Sequence, residues 1–310
     1  MLSLEGMTGL STGIRDLDRY LRGLEPGQWV VIGARPSMGK TAVSLQIARF
    51  VAGERRRRVY FASLEMEAAQ LVERMLYAVA EVDKEKVAGR FIRERDLSER
   101  LSQACEVIGG MRETLLLDEN NGVTVMGLRA RLRRAAAVAP LDLIVVDYIQ
   151  LMSGGSRAAN RNEEVGEISR GLKGLAKEFG CPLVALCQLS RESEKTSDGR
   201  PKMSHLRESG AIEQDADVVI LLSRGENANE LVLDVGKQRN GPTGDLKVFY
   251  DRHVQRIAAW GGGGEYQERP GRWQPKGSGK GYTVSEPAGH DDEDDFPVLP
   301  GPQETEEIAF

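Results

Sequence analysis

Gln28-Trp29-Val30-Val31-Ile32-Gly33-Ala34-Arg35-Pro36-Ser37-Met38-Gly39-Lys40-Thr41 reads as an apolar strand, a glycine-bearing loop and the opening of a helix. The helix is 41–52, Thr41-Ala42-Val43-Ser44-Leu45-Gln46-Ile47-Ala48-Arg49-Phe50-Val51-Ala52, whose apolar residues recur at helical spacing. Strand, loop and helix in that order are the context a phosphate-binding loop requires. The backbone N–H groups of such a loop, with the positive end of the helix behind them, can wrap phosphates. Nine residues then hold a nucleotide: Ala34, Arg35, Pro36, Ser37, Met38, Gly39, Lys40, Thr41 and Ala42. Lys40 would reach the β- and γ-phosphates of ATP, and Thr41 would offer its hydroxyl to Mg²⁺. Strict spacing of the motif puts Ala34 where glycine is usual, with Gly33 one place early. Alanine costs little there as long as φ stays negative.

Outward from that loop, apolar runs of strand length recur at 28–33, 58–63, 114–117, 142–147, 182–187 and 217–222. Crossover helices are expected at 41–52, 124–137 and 164–178. The alternation predicts an α/β fold, a mostly parallel sheet covered by helices. Residues 230–236 and 246–258 are expected to form strands joined by a turn at Asn240-Gly241-Pro242-Thr243-Gly244, an antiparallel edge hairpin. The core should end near Trp260.

Leu143-Ile144-Val145-Val146-Asp147 sets a carboxylate at the C-terminal end of an apolar strand. Ligands of open α/β sheets bind at that end, so Asp147 is the candidate to hold Mg²⁺ beside Thr41, or else a simple turn residue. Many such ATPases place a glutamate next in the chain to activate water, but here the residue is Tyr148. The base must come from elsewhere, and Glu65, in Phe61-Ala62-Ser63-Leu64-Glu65-Met66, ends the second strand. If that strand lies beside the loop strand, Glu65 falls near the γ-phosphate. The alternative is a charge placed at a helix N-terminus to suit the macrodipole.

The 310 residues are 40% apolar, enough for a sizeable core in one large domain or two small ones. No apolar run approaches the roughly 18 residues that span a bilayer, and Met1-Leu2-Ser3-Leu4-Glu5-Gly6 is unlike a signal peptide, so no membrane association and a cytoplasmic location are expected. Cys105, Cys181 and Cys187 form no C-x-x-C pair and are read as small buried hydrophobes. Residues 285–310 carry nine acids and no Lys or Arg; without them the net charge of −5 becomes +4 over 1–284. A mildly basic body with an acidic tail suits a nucleic-acid partner. The domain reading is therefore a folded ATP-binding domain over 1–260, a Gly-rich linker over 261–284 and an acidic disordered tail over 285–310. That tail, with Phe296 and Phe310 beside acids, is either solubilising, a docking arm, or a mimic of the DNA backbone.

Six segments together resemble the DnaB family of replicative helicases: 33–41, Ser63-Leu64-Glu65-Met66, Val145-Val146-Asp147-Tyr148-Ile149-Gln150-Leu151, Leu189-Ser190-Arg191, 206–217, and Lys237-Gln238-Arg239-Asn240-Gly241-Pro242. The resemblance covers roughly 8–260. It implies a RecA-like motor that uses ATP to move along single-stranded DNA and unwind duplex. It also implies a homo-oligomer, a hexameric ring with ATP sites between subunits. Glu65 would be the catalytic base, Gln188 the sensor of the γ-phosphate, and Lys237 and Arg239 groups acting in trans. An arginine on an edge hairpin can complete a neighbour's site more easily than its own. The segments matching the family's two DNA loops are 153–161, with Arg157 and Arg161, and 207–210, with Arg207, Glu208 and Gly210. Both are short of aromatics, so phosphate contacts would carry a sequence-indifferent, salt-sensitive grip. A helicase loader, primase or other replication protein is the implied further partner. The family carries an N-terminal helical domain before the motor, whereas this sequence reaches the motor within about ten residues, so a motor lacking that domain is expected. The competing readings are a RecA/RadA-type DNA-dependent ATPase that forms filaments, and a non-motor ATP-binding ring.

Overall fold

A computed structural model describes residues 7–88, 94–120, 122–154, 161–190, 193, 200–206 and 210–260. Its strands are β1 (Trp29–Ala34), β2 (Val59–Ser63), β3 (Leu115–Glu119), β4 (Leu143–Asp147), β5 (Leu183–Gln188), β6 (Val218–Arg224), β7 (Glu230–Gln238), β8 (Gly244–Asp251) and β9 (Arg256–Ala259). Its helices are α1 (Arg15–Leu21), α2 (Lys40–Arg49), α3 (Ala68–Ala80), α4 (Lys84–Ala88), α5 (Glu94–Gly109), α6 (Val125–Val138), α7 (Arg161–Phe179) and α8 (Gly210–Asp215). Among the described residues one sheet runs in the order β3-β2-β4-β5-β1-β6-β7-β8-β9. It is parallel from β3 to β6 and antiparallel from β6 to β9.

Alternation along the central strands splits the core in two, as the period of a strand demands. Val30 and Ile32 of β1 pack with Val43 and Ile47 of α2 on one face. Trp29 and Val31 pack with Leu172 and Leu175 of α7 on the other. Strands so covered on both faces read as continuous apolar runs, which is why β1, β2, β4, β5 and β6 are visible in the sequence. Each such buried aliphatic side chain stabilises the fold by about 1.5–3 kcal/mol. The first helix is tied down by a buried carboxylate: Asp18 accepts from Ser11 Oγ (2.6 Å), Thr12 N (2.6 Å) and Thr12 Oγ1 (2.7 Å).

Three expectations change. The strand ending in Ser63 does not lie beside β1; β5 and β4 intervene, because strand order in space is set by crossover geometry rather than chain order. The stretch 246–258 is two strands, not one, broken where Asp251 Oδ1 accepts from His253 N (3.0 Å) and Val254 N (3.4 Å) and Gln255 takes φ 54°. Cys105 is exposed on α5, although Cys181 and Cys187 are buried as expected. Two further helices, α3 and α5, which follow β2 and precede β3 in the chain, stack on each other around Ala80, Val82 and Ala104. The linker over 261–284 and the tail over 285–310 lie outside the described residues. No helix among the described residues is long and apolar enough to cross a membrane.

Candidate nucleotide-binding site

β1 ends at Ala34, in register with Gln188 of β5 on one side and Leu222 of β6 on the other. Gly33 is closely packed: a Cβ there would lie 2.9–3.1 Å from the side-chain ends of Leu206, Leu221 and Leu189, which would have to shift. Ala34 sits in extended strand backbone and tolerates its methyl, which accounts for the displaced glycine of the motif. The loop then turns through two left-handed residues, Ser37 (φ 63°) and Gly39 (φ 86°). Gly39 is doubly constrained, since a Cβ would also meet the Tyr250 ring at 2.8 Å. Lys40 opens α2, and no side chain among the described residues caps that terminus. Its first N–H groups are thus left to a ligand, as an anion site needs.

Asp147 ends β4 and is 0% exposed. Thr41 Oγ1 donates to its Oδ2 at 2.9 Å. The Lys40 ammonium lies 3.3 Å from Oδ1 and 3.8 Å from the centre of the Tyr148 ring. Oδ1 is buried and accepts no hydrogen bond from the described residues; the Lys40 contact is an ion pair without hydrogen-bond geometry. A hydroxyl and a carboxylate with a spare oxygen suit a hard divalent cation. Lys40, Thr41 and Asp147, the loop pair and a strand end far from it in sequence, are therefore brought together as expected.

Glu65 reaches this region by a different route from the one expected. β2 pairs with β4 in register, Ser63 opposite Asp147, and Leu64 N donates to the Asp147 carbonyl at 2.7 Å. Ser63 Oγ holds the bend beyond, donating to the Met66 carbonyl at 2.6 Å and accepting from Met66 N at 3.2 Å. Glu65 is exposed on that bend, before α3. Burial raises the Tyr148 hydroxyl above its ordinary pKa, and the charges of Glu65 and then Asp147 push it further. Glu65 thus follows the strand end that is tied to Asp147, the residue before Tyr148, which occupies the usual glutamate position. Gln188 ends β5 level with Ala34. Its neighbour Gln150 is given no role by the sequence reading, though its amide brackets the Gln188 peptide. A glutamine in an otherwise apolar Tyr148–Leu151 turn is the one local signal.

Lys237 and Arg239 lie at the opposite edge of the sheet. β7 runs antiparallel to β6, so Lys237 is level with Val219 and hence with Val31. Arg239 N donates to the Asp217 carbonyl at 2.8 Å, and Asp217 Oδ2 accepts from the N–H of Trp29, the first residue of β1. The strand from Trp29 to Ala34 separates that level from the phosphate loop, about 17 Å at the usual rise. The Arg239 side chain is 54% exposed and 3.5 Å from Asp217 Oδ1. Lys237 Nζ donates to the carbonyls of Glu213 (2.5 Å) and Gln214 (3.1 Å), and burial, then Arg239, lowers its pKa. Of the DNA-loop candidates, Arg161 opens α7, donating to the Gln150 carbonyl at 2.9 Å, and Gly210 opens α8, exposed. Arg157, Arg207 and Glu208 lie outside the described residues.

The chain is 40% identical over 260 residues to the replicative DNA helicase DnaB of Geobacillus stearothermophilus, a match covering 81% of this chain and 56% of that protein. It is 39% identical over 263 residues to the replicative DNA helicase DnaB of Haemophilus influenzae, covering 81% and 55%. The chain thus spans about half the length of these curated relatives. Among solved structures, a DnaB-like replicative helicase, described with its interactions with primase, matches at 30% identity and a TM-score of 0.77, over 83% of this chain and 63% of that one. The family model of the DnaB-like helicase C terminal domain matches residues 9–259, and with the loop, the Asp147 strand and the edge hairpin in place, the chain belongs to that family.

Proposed function

We propose that this chain is the ATP-hydrolysing motor of a ring-shaped, hexameric replicative DNA helicase, translocating on single-stranded DNA and unwinding duplex. The observation that carries this is the division of the site. Lys40, Thr41 and Asp147 are gathered at the C-terminal edge of the parallel strands, while Arg239 belongs to the level of Trp29 at the opposite edge, about 17 Å away, with Lys237, on β7, two residues nearer. A neighbouring copy that presents its hairpin to this loop would complete the site, a head-to-tail contact that closes into a ring. Thr41 and Asp147 would hold Mg²⁺, which when bound offsets the charge of the phosphates. Lys40 would then leave Asp147 Oδ1 for the phosphates. Glu65 would accept a proton from the attacking water, Gln188 would contact the γ-phosphate, and the neighbour's Arg239 would stabilise charge on the transferred group. Arg157, Arg161, Arg207, Glu208 and Gly210 would face the DNA. A helicase loader or primase is the proposed further partner, and the cytoplasm the proposed location.

ATP turnover measured with and without single-stranded DNA, beside native mass with a non-hydrolysable nucleotide, tests this. DNA-stimulated turnover and a discrete six-subunit mass are expected. An open series of masses would favour the filament-forming ATPase instead, and DNA-indifferent turnover by a monomer would overturn the proposal.

A further inference from the structure

β4 and β5 pair from Ile144–Leu183 to Val146–Ala185, and no further. Asp147 and Cys187–Gln188, the ends of the two strands, lie beyond that ladder. The missing ladder is replaced by one side chain. Gln188 N donates to Gln150 Oε1 at 3.1 Å, and Gln150 Nε2 donates back to the Gln188 carbonyl at 3.0 Å, with Cys187 Sγ at 2.9 Å as a second acceptor. An amide that both donates to and accepts from one residue's backbone fixes its position as a strand partner would. The next residue carries the restraint to the phosphate loop: Leu189 N donates to the Ala34 carbonyl at 3.0 Å, and Arg35 Nη1 to the Leu189 carbonyl at 2.9 Å.

The backbone of Gln150 faces the other way. Its carbonyl accepts from Arg161 Nη2 at 2.9 Å, and Arg161 Nη1 pairs with Glu164 Oε2 at 2.5 Å. Glu164 Oε1 also accepts from Gly154 N at 2.6 Å. Gly154 and Arg161, on either side of residues 155–160, are thus gathered on one carboxylate, and Gln150 is bonded to that cluster. The short turn Ile149–Leu151 leaves little slack between its two roles.

We infer that Gln150 is a positioning residue: its amide sets the Gln188 peptide against the phosphate loop, and its carbonyl ties that peptide to the Gly154–Arg161–Glu164 junction. A shift at the junction is thereby passed to Gln188, and the reverse. The identity of the two ligands, nucleotide and single-stranded DNA, rests on the proposed function.

The test uses the full chain with Gln150→Ala, Gln150→Glu, Gln188→Ala and the double variant Gln150→Ala/Gln188→Ala. Displacement of a fluorescent nucleotide by ATPγS and by ADP gives the ratio of their affinities, which needs no turnover. Gln150→Ala should reduce that ratio about tenfold, the scale of one or two lost hydrogen bonds, with ADP affinity within about twofold of wild type. Gln150→Glu keeps the volume but sets a carboxylate oxygen against the Gln188 carbonyl, acceptor facing acceptor, so it should reduce the ratio at least as far as Gln150→Ala; it also carries the test if Gln150→Ala does not fold. The double variant should be no worse than Gln188→Ala alone, since both act through one group. Additive losses, an unchanged ratio, or a wild-type chain that does not distinguish the two nucleotides would overturn the inference. Turnover adds the second arm: stimulation by single-stranded DNA should fall to about onefold in Gln150→Ala. If wild-type turnover ignores DNA, the proposed function fails, while the nucleotide ratio still decides whether Gln150 holds Gln188.

Discussion

The two edges of the sheet carry opposite kinds of functional residue. At the C-terminal edge of the parallel strands, Asp147 is fully buried, with Thr41 2.9 Å and Lys40 3.3 Å away. At the other edge, Arg239 is more than half exposed, with the Asp217 carboxylate 3.5 Å off. The first group is preorganised before any ligand arrives, as electrostatic stabilisation of a reaction requires. The second is presented, positioned by a hairpin and open to recruitment. One edge looks like a site lacking a part, and the other like a part lacking a site.

The sharpest way to break that comparison is to inactivate each edge separately. Arg239→Ala should lower ATP turnover about a thousandfold, the low end for such an arginine. Lys40→Ala should be similarly inactive. Mixed in one assembly, the two should regain activity, because some interfaces then pair an intact loop with an intact arginine. Failure to recover in assemblies shown by mass to be mixed would place Arg239 in cis or outside the reaction.

Within the buried edge, Glu65 is the exposed member, and Glu65→Gln isolates chemistry from binding. Turnover should fall about a hundredfold or more, with ATP affinity within about twofold, as for loss of a general base. Affinity falling in step with turnover would make Glu65 a binding residue instead.

A smaller effect tests how tightly the loop is held. Gly39→Ala forces a methyl against the Tyr250 ring and a left-handed φ on alanine, at a cost of about 1–2 kcal/mol. ATP affinity, read by titration, should drop about tenfold, whereas Gly210→Ala, where a Cβ meets nothing within 4 Å, should leave it unchanged.

The smallest effect belongs to the hairpin. Asp234 and Asp245 face each other across β7 and β8, and burial, then Asp245, raises the Asp234 pKa. A raised carboxyl pKa means the fold favours the protonated form, so stability falls as pH rises from the ordinary Asp value through the raised one. Asp234→Asn should therefore raise Tm at pH 7 by about 2 °C or less, an advantage that vanishes below the ordinary Asp pKa. Turnover at low temperature should not change, which would separate the hairpin's stability from its supply of Arg239.

The loop 33–41 and the apolar Leu143–Asp147 run are legible because both are local. A phosphate loop needs consecutive residues at set offsets, and a buried strand announces itself by composition. Gln150 is hidden for the opposite reason: its partner is 38 positions away, and a polar residue gives no sign of which peptide it will bracket. The split of 246–258 is invisible because Asp251-Arg252-His253-Val254 lacks the glycine or proline that marks most turns.

By itself the sequence determined the phosphate loop, the parallel strands, their apolar faces and the antiparallel edge, since periodicity and turn chemistry are properties of neighbouring residues. It also determined which side chains are chemically competent: an ammonium, a hydroxyl and two carboxylates. The tertiary structure alone decided that β4 and β5 stand between β2 and β1, that Glu65 arrives through its register with Asp147, and that Arg239 lies at the edge away from its own loop. Those are consequences of crossover direction and strand register, which join residues far apart in the chain and leave no mark on the residues beside them.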